Sequence, residues 1–313
     1  MTIYYKNVFL LTAALLLTSC AATSSRHVLN NQDKTNIQSS QILLNSTQRE
    51  IVMQHNNWFN SDLIDPYAPM DSGYIVHQNA AANPQAGLIG ALVVSGIQHS
   101  QANSAMTAMA PIRNALEDFD FLSQFNSDLK HTLGQSHWLN VRKQVIKYNV
   151  REDESLIANT ANENTTLFIG TTYALNSVFR QLEISAYVKL VQKSANKKDV
   201  HTLYTNNFFF VNRLSVPNEN ASQNKERWIK NNGALLKEKM RDASLLLSNM
   251  ILMDMGNQNI QAYPLNNKVI TIRTVYGAKV KANIIKQQNG YYIVMLQDNS
   301  LYAVNADNIV SSS

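Results

Sequence analysis

The sequence predicts an α+β fold in which helices pack on an antiparallel sheet, followed by a small all-β unit. Three observations predict it. Apolar residues recur at threes and fours over 105–132 and again over 223–255, the period of a helix. Between them the chain from Arg180 to Gln192 alternates strictly, with Leu182, Ile184, Ala186, Val188 and Leu190 on one face and Gln181, Glu183, Ser185, Tyr187 and Lys189 on the other. Beyond 264, four short β-rich runs are separated by turn residues.

The amino terminus carries Lys6, an apolar run from Val8 to Leu17, and small residues at Thr18 and Ser19, the order of a secretory signal. That run is too short to span a bilayer, which takes about 20 apolar residues. It closes on Cys20, the only cysteine in 313 residues, so no intramolecular disulfide can form. Leu17-Thr18-Ser19-Cys20 resembles the lipobox of bacterial lipoproteins. The resemblance implies signal-peptidase recognition through Leu17, Thr18 and Ser19, removal of residues 1–19, and acylation at Cys20. Through Ala21, which stands where inner-membrane lipoproteins carry Asp, it implies sorting to the outer membrane. Two or three acyl chains would hold the protein there, since each buried methylene contributes roughly 0.8 kcal/mol and one chain binds marginally.

Residues 20–46 are poor in apolar side chains and read as a flexible tether. An α+β domain is expected over 47–258, introduced by an amphipathic helix from about Gln41 with Ile42, Leu43, Ile51 and Val52 near helical spacing. Asp65-Pro66 and Ala68-Pro69 break it. Asn83-Pro84 then opens a short apolar helix in which Gly87, Gly90, Ala91 and Ser95 fall at three- and four-residue steps. Small residues so spaced let backbones approach, which makes Gly87, Gly90 and Ala91 candidates for self-association into a homo-oligomer. From Gly87 to Ile97 the helix would cover only about 16 Å, so burial within the domain is the simpler reading.

The helix over 105–132 presents Ile112, Leu116, Phe119, Leu122, Phe125 and Leu129 on one side, with Pro111 marking a kink or a fresh start. Strand-like runs follow at 138–148, 166–175, 180–192 and 200–212, with turns at Asn176-Ser177 and 194–199. The helix over 223–255 carries Trp228, Leu236, Met240, Ala243, Leu247, Met250 and Ile251, and Gly256 stops it. Helices, then strands, then a helix make a meander covered on one face, not a βαβ series. In architecture this resembles lipoproteins of the curli-secretion type and lipoprotein activators of penicillin-binding proteins, whose own motifs the chain lacks.

The last unit, 264–313, follows Pro264 and Asn266-Asn267. Its strands are expected at 269–273, 280–285, 291–296 and 300–304, with turns at Tyr276-Gly277, Gln288-Asn289-Gly290 and Asp298-Asn299. Asn-Gly between apolar runs is the strongest short hairpin signal. The spacing resembles a bacterial SH3-like small β-barrel, a module that binds peptides, wall material or a neighbouring domain. Tyr276, Tyr291 and Tyr302 are the candidate partner-binding residues, since tyrosine offers apolar area with a polar tip. Alternation puts Tyr291 and Tyr292 on opposite faces.

The sequence carries no catalytic motif in context. The seven histidines never adopt the two-histidine helical spacing of a zinc protease, and neither a Gly-x-Ser-x-Gly elbow nor a Gly-rich phosphate loop occurs. Ser194-Ala195-Asn196-Lys197 and Ser222-Gln223-Asn224-Lys225 match Ser-x-x-Lys without its accompanying elements. His131 with His137 could ligate a metal, but two histidines across Gly134 are more often surface or capping residues. Asp118-Phe119-Asp120 reads as capping. Charged residues make up 16% of the chain and the net charge is +5, too small and scattered to indicate nucleic acid. The expectation is therefore a non-enzymatic binding or assembly factor without cofactor or metal, membrane-anchored through Cys20 and probing an envelope protein or peptidoglycan from the periplasmic side. The alternative is a periplasmic hydrolase whose catalytic residues lie far apart in sequence.

Overall fold

A computed structural model of the chain describes residues 29–37, 39–46, 48–54, 105–148, 163–193, 200–215, 220–256, 269–273 and 279–312. In chain order the elements begin with helix α1 (Asn31–Asn36), strands β1 (Ser40–Ser46) and β2 (Val52–Gln54), helices α2 (105–114) and α3 (Phe121–Leu133), and strand β3 (Val141–Tyr148). Strands β4 (Thr165–Asn176), β5 (Gln181–Lys193) and β6 (Val200–Arg213) precede the long helix α4 (Ala221–Gly256). Strands β7 (Val269–Arg273), β8 (Lys279–Gln288), β9 (Tyr291–Met295) and β10 (Leu301–Asn305), a 3-10 turn (Ala306–Asn308) and β11 (Ile309–Ser312) complete it.

The alternating central sequence builds the scaffold. β4, β5 and β6 form an antiparallel meander paired along nearly their whole length. Leu182, Ile184, Ala186, Val188 and Leu190 meet α3 and α4 in one core that also holds Phe125, Leu129, Trp228, Met240, Leu247 and Ile251. Each leucine, isoleucine, valine, phenylalanine or methionine among them contributes roughly 1.5–3 kcal/mol by leaving water. Trp228 buries its ring and donates its Nε1–H to the Phe179 carbonyl at 2.7 Å, so its one polar atom is satisfied.

Residues 29–37 and 39–46 are folded, which corrects the expected tether over those positions and the helix from Gln41; the rest of the tether lies outside the described residues. Asn30 caps α1 in a reciprocal box with Asp33. β1 then runs between β3 and β4, parallel to both and buried along its length. The run Ile42-Leu43-Leu44 is that of a strand buried on both faces, Leu43 joining Phe168 and Val191 on one side and Ile42 and Leu44 the main core on the other. Three apolar residues are too few to separate that pattern from a helix. The sheet is consequently mixed rather than antiparallel.

The helix expected over 105–132 is two helices. Pro111 lies inside α2, and the break falls after it, where Asp120 caps α3 by accepting the Ser123 N–H at 3.1 Å and the Ser123 hydroxyl at 2.6 Å. α4 is also interrupted. Lys230 is extended and Asn231, Asn232 and Gly233 are left-handed, conformations that Asn and Gly tolerate best. Gly233 sits against α2: a Cβ there would lie 2.8 Å from the Ala115 carbonyl oxygen.

The carboxy-terminal strands occur close to where they are expected, and Asn289 and Gly290, both with positive φ, make the tight turn between β8 and β9. They do not form a separate barrel. β10 pairs in parallel with β6, Leu301 opposite Phe208 and Val304 opposite Val211, so the strands join one eleven-stranded sheet in the order β11-β7-β8-β9-β10-β6-β5-β4-β1-β3, with β2 beside β4. The reason lies in β10 itself, whose two faces are both apolar. Leu301 and Ala303 enter the helix-covered core; Tyr302 and Val304 enter a second cluster with Val211, Ile270, Ile272, Ile284 and Val294. Among the described residues no helix is long and apolar enough to cross a membrane.

Candidate functional site

Of the residues singled out from sequence, Leu17, Thr18, Ser19, Cys20, Ala21, Gly87, Gly90, Ala91 and Tyr276 lie outside the described residues, as does the Ser194 to Lys197 motif. Tyr291 and Tyr302 are described, and neither presents a contact surface. Tyr291 is 3% exposed in the main core, tilted against Phe210, with its hydroxyl shared between Asn212 Oδ1 at 3.1 Å and Asp242 Oδ2 at 3.2 Å. Burial, and then the nearby Asp242, push its phenol above the ordinary range. Tyr302 is equally buried and stacks on Phe209 with centroids 4.4 Å apart. A pattern apolar on both faces hides both rings.

His131 and His137 are exposed, His131 Nε2 lying 3.5 Å from Gln135 Nε2. Among the described residues no three His, Cys, Asp or Glu side chains converge as metal ligands. Ser222 is exposed on the first turn of α4, and Lys225 sits over the Phe179 ring at 5.7 Å rather than on Ser222. Asp118 pairs with Lys237, whose hydrogen bond is the main reason the carboxyl is held below its usual range.

What the fold does assemble is an arginine-rich end of the sheet. Three arginines far apart in sequence arrive there on strand ends. Arg180 precedes β5, Arg213 ends β6 opposite Gln181, and Arg273 ends β7. Each backbone is fixed by a neighbour. The Leu214 N–H donates to the Arg180 carbonyl at 2.9 Å. Asn305 clamps Arg213 twice, accepting its N–H at 3.0 Å and donating Nδ2–H to its carbonyl at 2.7 Å. Three residues on, Asn308 donates Nδ2–H to the Arg273 carbonyl at 2.9 Å. The last residue of β10 and the last residue of the 3-10 turn after it therefore bind Arg213 and Arg273, on strands that are not neighbours in the sheet.

The turn from β4 into β5 completes this end. Asn176 Oδ1 accepts the backbone N–H groups of Arg180 at 2.8 Å and Gln181 at 3.2 Å. Phe179 between them has φ of 52°, a left-handed backbone that a bulky side chain adopts only under external constraint. Its carbonyl is held by Trp228 and its ring is buried, which supplies that constraint.

Electrostatically the end is cationic. Burial, and then Arg180 and Arg273, pull the Arg213 guanidinium below its usual value, with Asp307 acting the other way. Arg180 Nε is buried without a hydrogen-bond partner. Glu183 does not neutralise the group. It lies two residues along from Gln181, whose Nε2–H donates to Glu183 Oε1 at 2.7 Å, and burial pushes its carboxyl up to about 8, so at neutral pH it is mostly uncharged.

Sequence reasoning missed this end because its members lie at positions 180, 213 and 273 and share no motif. The one local signal was that each closes or opens a strand-like run. A second polar group, Asp254 with Tyr204 and Asn206, is interior: Asp254 Oδ2 accepts from the Tyr204 hydroxyl and from Asn206 Nδ2–H at 2.8 Å, beneath the last turn of α4.

No protein-family model and no curated protein matches the chain. Among solved structures it is similar to the hypothetical protein CT253 from Chlamydia trachomatis, at 10% identity, with 43% of this chain and 87% of that chain covered and a TM-score of 0.24. A likeness at that score carries no argument about fold or function.

Proposed function

We propose that the protein is an outer-membrane lipoprotein, anchored through Cys20 and facing the periplasm, that acts without catalysis as a binding or assembly factor for an envelope protein complex. The observation that supports this reading is the arginine end: three arginines far apart in sequence are brought together at strand ends whose backbones are clamped by asparagines, which lowers the cost of ordering that surface on binding. The nine steps from Cys20 to Leu29 reach at most about 32 Å, so the anchor keeps the folded body close to the bilayer.

Affinity capture of the lipidated protein from cross-linked envelopes, read by mass spectrometry, tests the reading. Reproducible recovery of one assembly supports it. Recovery of lipid alone, together with turnover of wall fragments by the purified protein, would replace it with the hydrolase.

A further inference from the structure

We propose that the arginine end is a docking site for an acidic segment of a partner protein. The inference rests on the binding reading above and names the chemistry of its partner.

Convergence comes first. Arg213 and Arg273 flank one 3-10 turn through the Asn305 and Asn308 clamps, and Arg180 adjoins Gln181, the cross-strand partner of Arg213. Lys279 pairs with Arg273 across β7 and β8, and Lys225 approaches Phe179 from α4. Asp307 is the carboxylate in the turn itself. Among these residues cations outnumber anions, with Arg180, Arg213, Arg273, Lys279 and Lys225 set against Asp307. An arginine fork donates two N–H groups to one carboxylate in a bidentate geometry.

Apolar flanks indicate that the carboxylates belong to a protein. Val178, in the turn before Arg180, is 49% exposed, and Val310, next to the Ile309 that pairs with β7, is 39% exposed. Arginine beside exposed apolar side chains is the composition of protein contacts. Lipid phosphates fit the position less well. Gln192, at the far end of β5, donates Nε2–H to the Asn36 carbonyl at 3.2 Å, so the amino-terminal segment enters the fold there. From Gln181 to Gln192 the strand spans roughly 36 Å, so the arginines lie at the opposite end of β5 from the Asn36 contact.

The test uses the full lipidated chain in detergent and a labelled peptide alternating glutamate and leucine, with its glutamine counterpart as control. Binding is followed by fluorescence anisotropy at graded salt. The glutamate peptide is expected to bind, each of Arg180→Gln, Arg213→Gln and Arg273→Gln to weaken it about five- to tenfold, and Asp307→Asn to strengthen it about threefold. The clamps engage backbone atoms, so the arginine variants should keep the wild-type circular dichroism. Asp307→Asn, a gain of binding, keeps the test open should a variant misfold. Equal binding of both peptides, indifference to all four substitutions, or preference for soluble wall fragments or anionic-phospholipid vesicles over the peptide would overturn the proposal. The envelope capture separates the two failures. A partner retained by the triple arginine variant sinks the site alone, whereas no partner for the wild type sinks the binding reading.

Discussion

Glu183→Gln should make the protein more stable at alkaline pH and leave it almost unchanged in acid. The carboxyl is 5% exposed, Gln181 donates to Oε1 at 2.7 Å, and Oε2 has no partner. Burial raises its pKa from 4.5 to about 8. The folded protein therefore keeps this proton at pH values where the unfolded chain has lost it. Full stability holds below the unfolded value near 4.5, falls as pH rises, and levels off once the folded group has ionised above about 8. At 1.36 kcal/mol per unit, that gap corresponds to a cost on the order of 3 kcal/mol at pH 7 and roughly 5 at saturation. Glutamine is neutral, nearly the same shape, and still accepts the Gln181 hydrogen bond. Urea denaturation of wild type and variant at about pH 5 and about pH 9 isolates the effect, because every other titrating group is common to both. The variant should match the wild type within about 1 kcal/mol at the lower pH and exceed it by several at the higher. A variant equally or less stable at about pH 9 would refute the reasoning, since it would mean that Glu183 ionises there at no cost.

Gly233→Ala should destabilise by about 2 kcal/mol or more in thermal denaturation, because φ of 71° disfavours a side chain and the new methyl would meet the Ala115 carbonyl at 2.8 Å. Trp228→Phe leaves the buried Phe179 carbonyl without its donor and should cost about 2 kcal/mol in urea melts; no change would show that this carbonyl is reached by water. Asn305→Ala removes both clamps on Arg213 and should cost about 1–2 kcal/mol while speeding hydrogen exchange at the Arg213 amide relative to amides in the middle of β6.

Period was enough to place the meander and the carboxy-terminal hairpins. From Arg180 to Gln192 one face is apolar and the other polar over a whole strand, so nothing competes with the period-2 reading. The same logic fails for β1, where Ser40, Gln41, Asn45 and Ser46 surround three apolar residues. Those polar side chains are buried too, and Ser46 has a contact only the fold supplies, donating its hydroxyl to the Thr171 carbonyl at 3.2 Å. Composition predicts solvent for such residues, and tertiary hydrogen bonds override it. The breaks in α2–α3 and α4 were hidden for a related reason. A cap at Asp120 and a left-handed Asn-Asn-Gly turn interrupt the backbone while leaving the apolar spacing on either side intact.

Strand membership decided the site. Tyr291 and Tyr302 were attractive as surface residues only while the last strands stood apart, exposing one side of a small barrel. Once β10 pairs with β6, the strand is interior to the sheet and both its faces must be apolar, so the ring of Tyr302 and its neighbours fill the second cluster. The same pairing brings Asn305 beside Arg213, and through the 3-10 turn brings Asn308 beside Arg273. Burying the tyrosines and gathering the arginines are thus one structural event: the β6–β10 ladder that removes the aromatic surface creates the cationic one. It follows that substitutions that loosen β10 from β6 should weaken the proposed binding at the arginine end even where they touch no arginine, whereas substitutions on the edge strand β3, at the far side of the sheet, should not.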